Sequence, residues 1–520
     1  MAFPSQVNPP QIGLREASLV DPDARRAVAG TLAVPVLPAE PADAGDESGT
    51  PVLGPGTAVV LDLLTEHGIT GDDVFAVLES AGARGAAGEV TVLPLHRGVV
   101  EEVLLVGVGA LAPADLRKAG AAIARRTRDR EAVATSLPAL ADPEGFRALV
   151  DGLILGSFGF HWRSEGPEHR PVGRVVLTDV PDEAAYVDLL GRATAVSGAG
   201  WYSRMLALMP SNVKNPQWLA DQAAEVAART GLDLEVWDET RLRAEGFGGI
   251  AGVGQASDSP PRLIRLGYTP AGAGATSDLP HVVLVGKGIT FDTGGLSIKP
   301  AEAMATMKRD MTGGGVVLAV LSALADLGCP VRVTGLIAAA ENSISGSALR
   351  PGDVITHYGG RTSEVTNTDA EGRLVMADAL AYAAAELAPT VLVDVATLTG
   401  AMKVALGQRT GGMFANDDAL ADQLRAAGEV AGEVLWRLPL AQEYAELLDS
   451  PTADADNAPG GPGAITAALF LEPFAAGLPW AHLDIASVGD SPVDAFEWTS
   501  GATGFGARLL LRWLEDAEIG

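Results

Sequence analysis

The chain has 520 residues, of which 47% are hydrophobic and 20% are charged, a composition typical of globular proteins. A single hydrophobic core seldom grows beyond about 250–300 residues, so this length predicts two domains. The net charge of −29 repels phosphate backbones and disfavours nucleic acid as a partner, and the single cysteine, Cys329, excludes an intramolecular disulfide and a thiolate metal cluster.

The sequence shows no targeting or membrane signal. Its start lacks a basic end followed by an apolar run, and no stretch approaches 18 uninterrupted apolar residues. We therefore expect a cytoplasmic location, with neither a secretory signal nor a membrane span.

Residues 1–185 predict a smaller N-terminal α/β domain with a loose start, because short strand and helix patterns alternate after a segment rich in Pro, Ala, Gly and Asp. The loose part is expected at Pro38–Pro55. Strands are expected at Leu32–Leu37, Gly88–Leu95 and Val103–Val108, and a helix at Ala114–Arg126.

Residues 190–520 predict a larger C-terminal α/β domain with a mixed sheet. The expected strands are His281–Val285, Val331–Ile337, Val391–Val395 and His482–Ile485, with a hairpin of Asp353–Tyr358 and Arg361–Val365. The expected helices are Asn215–Arg229, Val316–Leu327, Leu374–Leu387 and Ala464–Phe474. Gly, Asp, Glu and Lys gather after these strands, where open α/β sheets bind their ligands, so we expect function in this domain.

Several common hydrolase motifs are missing. There is no HExxH zinc motif and no GxSxG nucleophile turn, and Cys329 lies before a proline without an evident base. A metal in this protein would therefore be bound mostly by oxygen ligands.

The first block of candidate site residues follows the predicted strand His281–Val285. Lys287 and Asp292 lie in a glycine-rich stretch, Lys299 follows, and Asp310 precedes a run of three glycines. Glycines allow sharp turns and close approach of the backbone to a ligand. A plain turn is the simpler interpretation, and a Walker loop is excluded because glycine follows the lysine where Ser or Thr is required.

The second block is Asn367–Leu374, between the hairpin and a helix. Asp369, Glu371 and Arg373 alternate, so an extended segment would aim all three at one side. Such a convergence is costly unless a ligand binds it. The alternative is a solvated helix N-terminus, where the helix dipole favours acidic residues.

Together these blocks resemble the signature of the leucyl (cytosol) aminopeptidase family. The similarity is strong over roughly residues 190–520 and weak in the first domain, which the resemblance implies to be macro-like. It implies a hydrolase that releases N-terminal, leucine-like residues from short peptides, in a cytoplasmic homohexamer.

The resemblance also implies a role for each matching residue. Two divalent ions, Mn²⁺ or Zn²⁺, would be held by Lys287, Asp292, Asp310, Asp369 and Glu371, with Asp292 and Glu371 bridging. Lys299 would contact the scissile carbonyl oxygen, and Arg373 would hold a bicarbonate that relays a proton. The side-chain pocket would be lined by Met307, Asn367, Thr397, Leu398 and Gly400.

Simpler interpretations of single residues and of the function stay open. Lys287 could be a surface cation paired with Asp292, and Met307 could be ordinary core. A two-metal phosphoesterase would also use Lys299 and Arg373, whose positive charges suit phosphate oxygens. A DNA-associated role is the other rival, and the net charge of −29 opposes it.

Overall fold

The computed structural model describes residues 5–16, 18–19, 30–39, 50–95, 100–273 and 279–516. The chain divides into two compact units, Met1–Trp201 with Pro492–Ser500, and Tyr202–Ser491 with Gly501–Gly520. Most of the predicted loose segment Pro38–Pro55 lies outside the described residues.

The first unit is built on a mostly parallel sheet in the order β1-β7-β6-β2-β5-β4, with β3 also paired to β2. Only β4 and β3 run antiparallel to their partners within this described sheet. The strands are β1 Gln11–Leu14, β2 Gly30–Leu37, β3 Val52–Leu53, β4 Val90–Pro94, β5 Val100–Gly107, β6 Ala132–Thr135 and β7 Arg174–Leu177. The apolar runs of β2 and β5 are buried almost throughout, as expected for strands of a parallel sheet covered on both faces.

The helices of this unit confirm the expected α/β pattern. They are α1 Thr57–Glu66, α2 Gly71–Ser80, α3 Pro113–Arg126 and α4 Pro143–Leu155, with a 3-10 helix at Leu137–Leu140; α5, Glu183–Leu208, spans the boundary between the units in sequence. Pro at the first position of α3 and α4 suits a helix start, because the missing N–H would have no helical acceptor.

The second unit contains an eight-stranded mixed sheet in the order β16-β15-β18-β14-β10-β11-β9-β8. The strands of this unit are β8 Asp233–Trp237, β9 Arg262–Tyr268, β10 His281–Asp292, β11 Arg332–Asn342, β12 Val354–Thr356, β13 Thr362–Glu364, β14 Val391–Ala396, β15 Gly411–Ala415, β16 Leu435–Arg437, β17 Ala455–Asp456, β18 Trp480–Asp484, β19 Asp490–Ser491 and β20 Gly501–Ala502. At its centre β18, β14, β10 and β11 are parallel, so their carboxyl ends share one edge. The expected hairpin is β12–β13, and β17 pairs with β13 in parallel.

Helices flank this sheet. They are α6 Pro216–Thr230, α7 Glu239–Ala244, α8 Gly248–Gly254, α9 Ala301–Met304, α10 Thr312–Leu327, α11 Glu371–Glu386, α12 Ala401–Leu406, α13 Asp418–Ala431, α14 Gly463–Leu471 and α15 Ala507–Asp516, with 3-10 helices at Met307–Arg309, Gln442–Leu448 and Glu472–Ala475. The four predicted helices correspond to α6, α10, α11 and α14. The starts of α10 and α11 lie four and three residues earlier than expected, and α14 ends three residues before the expected Phe474.

Glycines bring α10 unusually close to the sheet. A Cβ added to Gly286 of β10 would lie 2.6 Å from Cα of Gly314, and one added to Gly313 would collide with the carbonyl oxygen of Val395 in β14. Real Cβ atoms do not approach backbone atoms so closely. Helix α10 therefore packs directly against the backbones of β10 and β14, with no side chains between them. This contact holds the start of α10, two residues after Asp310, against the strand ends.

Helix α10 is also apolar along its length. Within the described residues, Met307–Leu327 is the only helical stretch long and apolar enough to cross a membrane by length and composition. Of its most apolar window, 89% is buried inside the chain, as in the core helix of a globular domain.

Helix α11 packs in the main hydrophobic core of this unit and is fixed by one buried carboxylate. Asp378 accepts hydrogen bonds from the backbone N–H groups of Ile250 (2.8 Å) and Tyr358 (3.1 Å) and lies 3.0 Å from Nδ1 of His357. Nε2 of His357 in turn lies 2.9 Å from the Ser363 hydroxyl. The order Ser363–His357–Asp378 is that of a serine-hydrolase triad, but all three residues are buried from solvent. These hydrogen bonds therefore connect the β12–β13 hairpin to α11.

Candidate metal centre

The candidate residues meet at the carboxyl edge of the central parallel strands. Lys287 and Asp292 lie on β10, which continues seven residues past its expected end, and Asp310 follows the 3-10 helix Met307–Arg309. Asp369 lies in a turn two residues before the start of α11, and Glu371 is the first residue of that helix. One strand, two turns and one helix start therefore supply the five proposed ligands.

The amine of Lys287 lies between two carboxylates. Its Nζ is 2.7 Å from Oδ2 of Asp310 and 3.0 Å from Oε1 of Glu371, and it donates to the carbonyl oxygen of Thr397 at 3.2 Å. Lys287 is 3% exposed. Burial lowers its pKa, but the carboxylates of Asp310, Glu371 and Asp292 outweigh burial and raise it above the ordinary value. The alternative of a surface lysine paired with Asp292 is therefore wrong.

Lys299 is the second cation of the site. Its Nζ lies 2.8 Å from Oδ2 of Asp292 and 2.5 Å from Oδ1 of Asp369. Burial lowers the pKa of Lys299, but the carboxylates of Asp292 and Glu371 outweigh burial, so the net shift of the pKa is upward. Gly294 and Gly295, with φ of 86° and 63°, turn the preceding loop and bring Lys299 inward.

The carboxylates form a compact oxygen cluster. One oxygen each from Asp292, Asp369 and Glu371 lies within 4.8 Å of the other two. Burial raises the pKa of Asp310, Asp369 and Glu371, because removal from water disfavours their charged forms. Oε2 of Glu371 is buried without a hydrogen-bond partner among the described residues.

This donor set fits divalent cations. Hard ions such as Mn²⁺ and Mg²⁺ prefer carboxylate oxygens, and Zn²⁺ accepts oxygen and nitrogen. Buried carboxylates that outnumber their cationic partners, and an unpartnered buried oxygen on Glu371, are groups that a bound cation would satisfy.

The second block does not adopt the expected extended path. Asp369 lies in a turn, whereas Glu371 and Arg373 occupy the first turn of α11, so the alternation that suggested a common side is not strand-like. Arg373 is buried; it donates from Nη1 to the carbonyl oxygen of Asn457 at 2.6 Å, and its Nε has no hydrogen-bond partner within the described part of the chain. Burial lowers the pKa of Arg373 to about 10, so the guanidinium stays charged at neutral pH.

Several supporting residues were not assigned from sequence. Asn342, the last residue of β11, donates from Nδ2 to Oδ1 of Asp292 (2.8 Å) and to the carbonyl oxygen of Thr368 (3.1 Å). The Thr368 hydroxyl donates to the carbonyl oxygen of Gly294 at 2.7 Å. These bonds join the two blocks. Asn342 was not expected at a strand end, because the predicted strand ended at Ile337 whereas β11 continues to Asn342.

Asp484, at the end of β18, fixes the loop after β14. Its buried carboxylate accepts hydrogen bonds from the backbone N–H groups of Leu398 and Thr399 (3.1 Å each) and from the Thr399 hydroxyl (2.7 Å). Two residues earlier, Nδ1 of His482 lies 2.6 Å from Oδ1 of Asp394, and both side chains are fully buried, as expected for a core histidine.

Two of the residues predicted to line a side-chain pocket form hydrogen bonds with proposed metal ligands. The Thr397 hydroxyl donates to Oδ1 of Asp310 at 2.8 Å, and Oδ1 of Asn367 accepts from the backbone N–H of Asp369 at 2.8 Å. Leu398 faces Gly372 in α11. Met307 is half-buried in the 3-10 helix before Asp310, and Gly400 precedes α12.

Comparison with known proteins identifies the family. The family model for the cytosol aminopeptidase family, catalytic domain, matches residues 201–511, and that for its N-terminal domain matches residues 65–163. The chain belongs to the cytosol aminopeptidase family. Membership implies metal-dependent aminopeptidase activity, which is a hydrolase activity, and confirms the predicted two-domain α/β fold.

Individual relatives cover most of the chain. A "Probable cytosol aminopeptidase" of Micrococcus luteus is 44% identical over 486 residues, which is 88% of this chain and 93% of the relative. One of Roseiflexus castenholzii is 45% identical over 445 residues, covering 82% and 90%. A solved structure described as "Bottromycin maturation enzyme BotP in complex with Mn" superimposes with a TM-score of 0.78 at 36% identity, covering 94% of this chain and 99% of that chain.

Gly372 offers a test of this cytosol aminopeptidase site that changes no charged group. A Cβ at this position would lie 2.7 Å from Nζ of Lys287 and 3.0 Å from Cδ1 of Leu398. We expect Gly372→Ala to displace the Lys287 amine and to weaken Mn²⁺ affinity, measured by isothermal titration calorimetry, by at least tenfold. Gly346→Ala, where an added Cβ meets nothing within 4 Å, is the control. Equal affinities in the two variants would contradict the close packing of Lys287 against α11.

Proposed function

We propose that this chain releases N-terminal amino acids, preferably leucine-like, from short peptides. In this proposal two divalent cations, Mn²⁺ or Zn²⁺, are held by Lys287, Asp292, Asp310, Asp369 and Glu371. The observation that carries the proposal is a cluster of carboxylates from Asp292 and Glu371, which are buried, and Asp369, which is half-buried. Each places an oxygen within 4.8 Å of the other two, beside two lysine amines.

The pairing of residues supports two cation positions. Lys287 contacts Asp310 and Glu371, whereas Lys299 contacts Asp292 and Asp369, so the ammonium groups already mark two regions of strongly negative potential. Bound cations would supply Lewis acidity, which polarises a peptide carbonyl and lowers the pKa of a water molecule. Lys287 would have to lose its proton to act as a ligand.

Lys299 is proposed to act on the scissile carbonyl oxygen. Its raised pKa keeps the amine protonated, so it donates a hydrogen bond and cannot serve as a base at neutral pH. Negative charge develops on that oxygen as the carbonyl is attacked, and a positioned donor stabilises it more in the transition state than in the ground state.

Arg373 is proposed to hold a bicarbonate that carries a proton to the leaving amine. Its guanidinium is charged, buried and fixed at one end by the carbonyl oxygen of Asn457, while its Nε has no partner within the described residues. A guanidinium suits planar oxyanions and does not titrate near neutral pH, so it clamps the anion and leaves proton transfer to it.

Substrate choice is assigned to Met307, Asn367, Thr397, Leu398 and Gly400. Small and apolar neighbours beside the ligands favour an apolar side chain, and a flexible Met adapts to leucine or methionine. The implied homohexamer and cytoplasmic location belong to the same proposal. Sedimentation of the purified chain at six times the monomer mass would support the assembly, and a monomer would oppose it.

The function is tested with metal-stripped protein. After dialysis against EDTA and reloading with Mn²⁺ or Zn²⁺, we expect the release of N-terminal residues from a peptide panel, fastest with Leu or Met first. N-acetylated versions of the same peptides, which lack a free α-amine, should resist cleavage, and p-nitrophenyl phosphate should be unaffected. Cleavage of the acetylated peptides would contradict the proposal, and phosphate release alone would favour the phosphoesterase alternative.

A further inference from the structure

Asn457 lies far along the chain from the second block but forms four hydrogen bonds with it. It follows β17 and is fully buried. Its Oδ1 accepts from the backbone N–H groups of Thr366 (2.9 Å) and Asn367 (3.2 Å). Its Nδ2 donates to the carbonyl oxygens of Asn367 (2.8 Å) and Ala370 (3.3 Å).

Asn457 also contacts α11, the helix that begins within the second block. The main-chain carbonyl oxygen of Asn457 accepts from Nη1 of Arg373 at 2.6 Å, and its N–H donates to the carbonyl oxygen of Glu364 at 3.0 Å. Asn457 therefore fixes the turn that contains Asp369, the backbone of Ala370 directly before Glu371, and the guanidinium of Arg373.

The bonding pattern requires an amide side chain. An asparagine offers two lone pairs on oxygen and two hydrogens on nitrogen, and all four are used by the loop. An aspartate of the same shape has no hydrogens to donate, so it would face two carbonyl oxygens with a negative charge. Buried polar groups left without partners are costly, so the loop would move.

We propose that Asn457 is a positioning residue for the metal centre: its side-chain amide sets the path of residues 366–370, and its carbonyl oxygen orients Arg373. Among the described residues, none of its hydrogen bonds goes to the side chains of the five proposed ligands. Its expected effect on turnover rests on the proposed function, but its effects on loop order and on metal affinity do not depend on which reaction the site catalyses.

Asn416 provides a matched control. It also bridges two backbone segments through its amide, donating from Nδ2 to the carbonyl oxygen of Leu478 (2.9 Å) and accepting at Oδ1 from the N–H of Trp480 (2.8 Å). It is more exposed than Asn457 and lies at the start of β18, the opposite end from Asp484.

The test compares Asn457→Asp, Asn457→Ala and Asn416→Asp in the full chain. For both Asn457 variants we expect at least tenfold faster amide exchange in peptides covering 365–374, measured by mass spectrometry, and Mn²⁺ affinity weaker by about 10–100-fold. The kcat for Leu-first peptides should fall by a similar factor while KM changes less than about threefold. Asn416→Asp should leave all three quantities within twofold of wild type.

Two results would overturn the proposal. One is a folded Asn457 variant with wild-type metal affinity and exchange. The other applies even if the variants do not fold: in the wild-type chain, Mn²⁺ should leave exchange in 365–370 almost unchanged, because the amide already holds this loop, and an ordering of that loop by Mn²⁺ of more than tenfold would show that the metal sets its path. A wild-type chain that binds Mn²⁺ but cleaves no peptide would refute the proposed function alone.

Discussion

The Glu371→Gln variant is expected to lose at least about a thousandfold in kcat/KM and to retain at most one of two Mn²⁺ ions per chain. Glu371 shares its oxygens between the Lys287 amine at 3.0 Å and the carboxylate cluster with Asp292 and Asp369. The amide keeps the size of the side chain but removes the charge, and it replaces one acceptor oxygen by an NH2 group, which cannot bind a cation. Peptide hydrolysis and metal content by mass spectrometry measure the two losses.

Glu386→Gln is the control for this variant. Glu386 ends the same helix, lies near the surface, and accepts from the Tyr358 hydroxyl at 2.8 Å. Its activity and metal content should stay within twofold of wild type. If Glu371→Gln binds two ions and turns over at the wild-type rate, Glu371 is not a bridging ligand.

The Lys299→Ala variant is expected to lose about 10²–10³-fold in kcat while it keeps both metal ions, the effect of removing one oxyanion donor. The Lys299 amine neutralises Asp292 and Asp369 at 2.8 and 2.5 Å. Its removal leaves these carboxylates with more negative charge, so Mn²⁺ affinity should stay equal or increase. Single-turnover kinetics and calorimetry separate the two effects.

Lys403→Ala, at an exposed position of α12, controls for the loss of a positive charge and should retain wild-type kinetics. The proposed role of Lys299 is refuted in either of two cases. The Lys299 variant could lose its metal together with its activity, which would make Lys299 part of the metal-holding shell. It could also keep a wild-type kcat, which would remove it from the chemistry.

The four central parallel strands of the second unit and four of its helices could be predicted from the sequence, because hydrophobic runs and glycine turns are local signals. The end of β10 could not. Gly286 and Gly288 are poor strand formers, so the strand was expected to end at Val285, yet β10 continues to Asp292. The glycines are there because helix α10 and strand β11 come too close for side chains, a tertiary constraint that no local pattern reports.

The candidate site was predictable to the extent that its charged residues follow strand ends in two recognisable blocks. The convergence of Lys287, Asp310 and Glu371 in space agrees with that expectation, while their catalytic roles stay predictions. The hydrogen bonds of Asn342 and Asn457 could not be predicted. Each joins residues about 25 to 90 positions apart through a single side-chain amide, and no repeating pattern in the sequence indicates such a bond.

The bare contact between α10 and the sheet has a consequence for how substitution data on this protein should be interpreted. Any side chain at Gly286 or Gly313 would push the helix away from β10 and β14, and Asp310 would move with it. A saturation-mutagenesis map scored by activity would therefore mark both glycines as intolerant as the ligands themselves. At these two positions, intolerance to replacement reflects the short distance between the backbones of the helix and the strands. It is not evidence that either glycine takes part in catalysis.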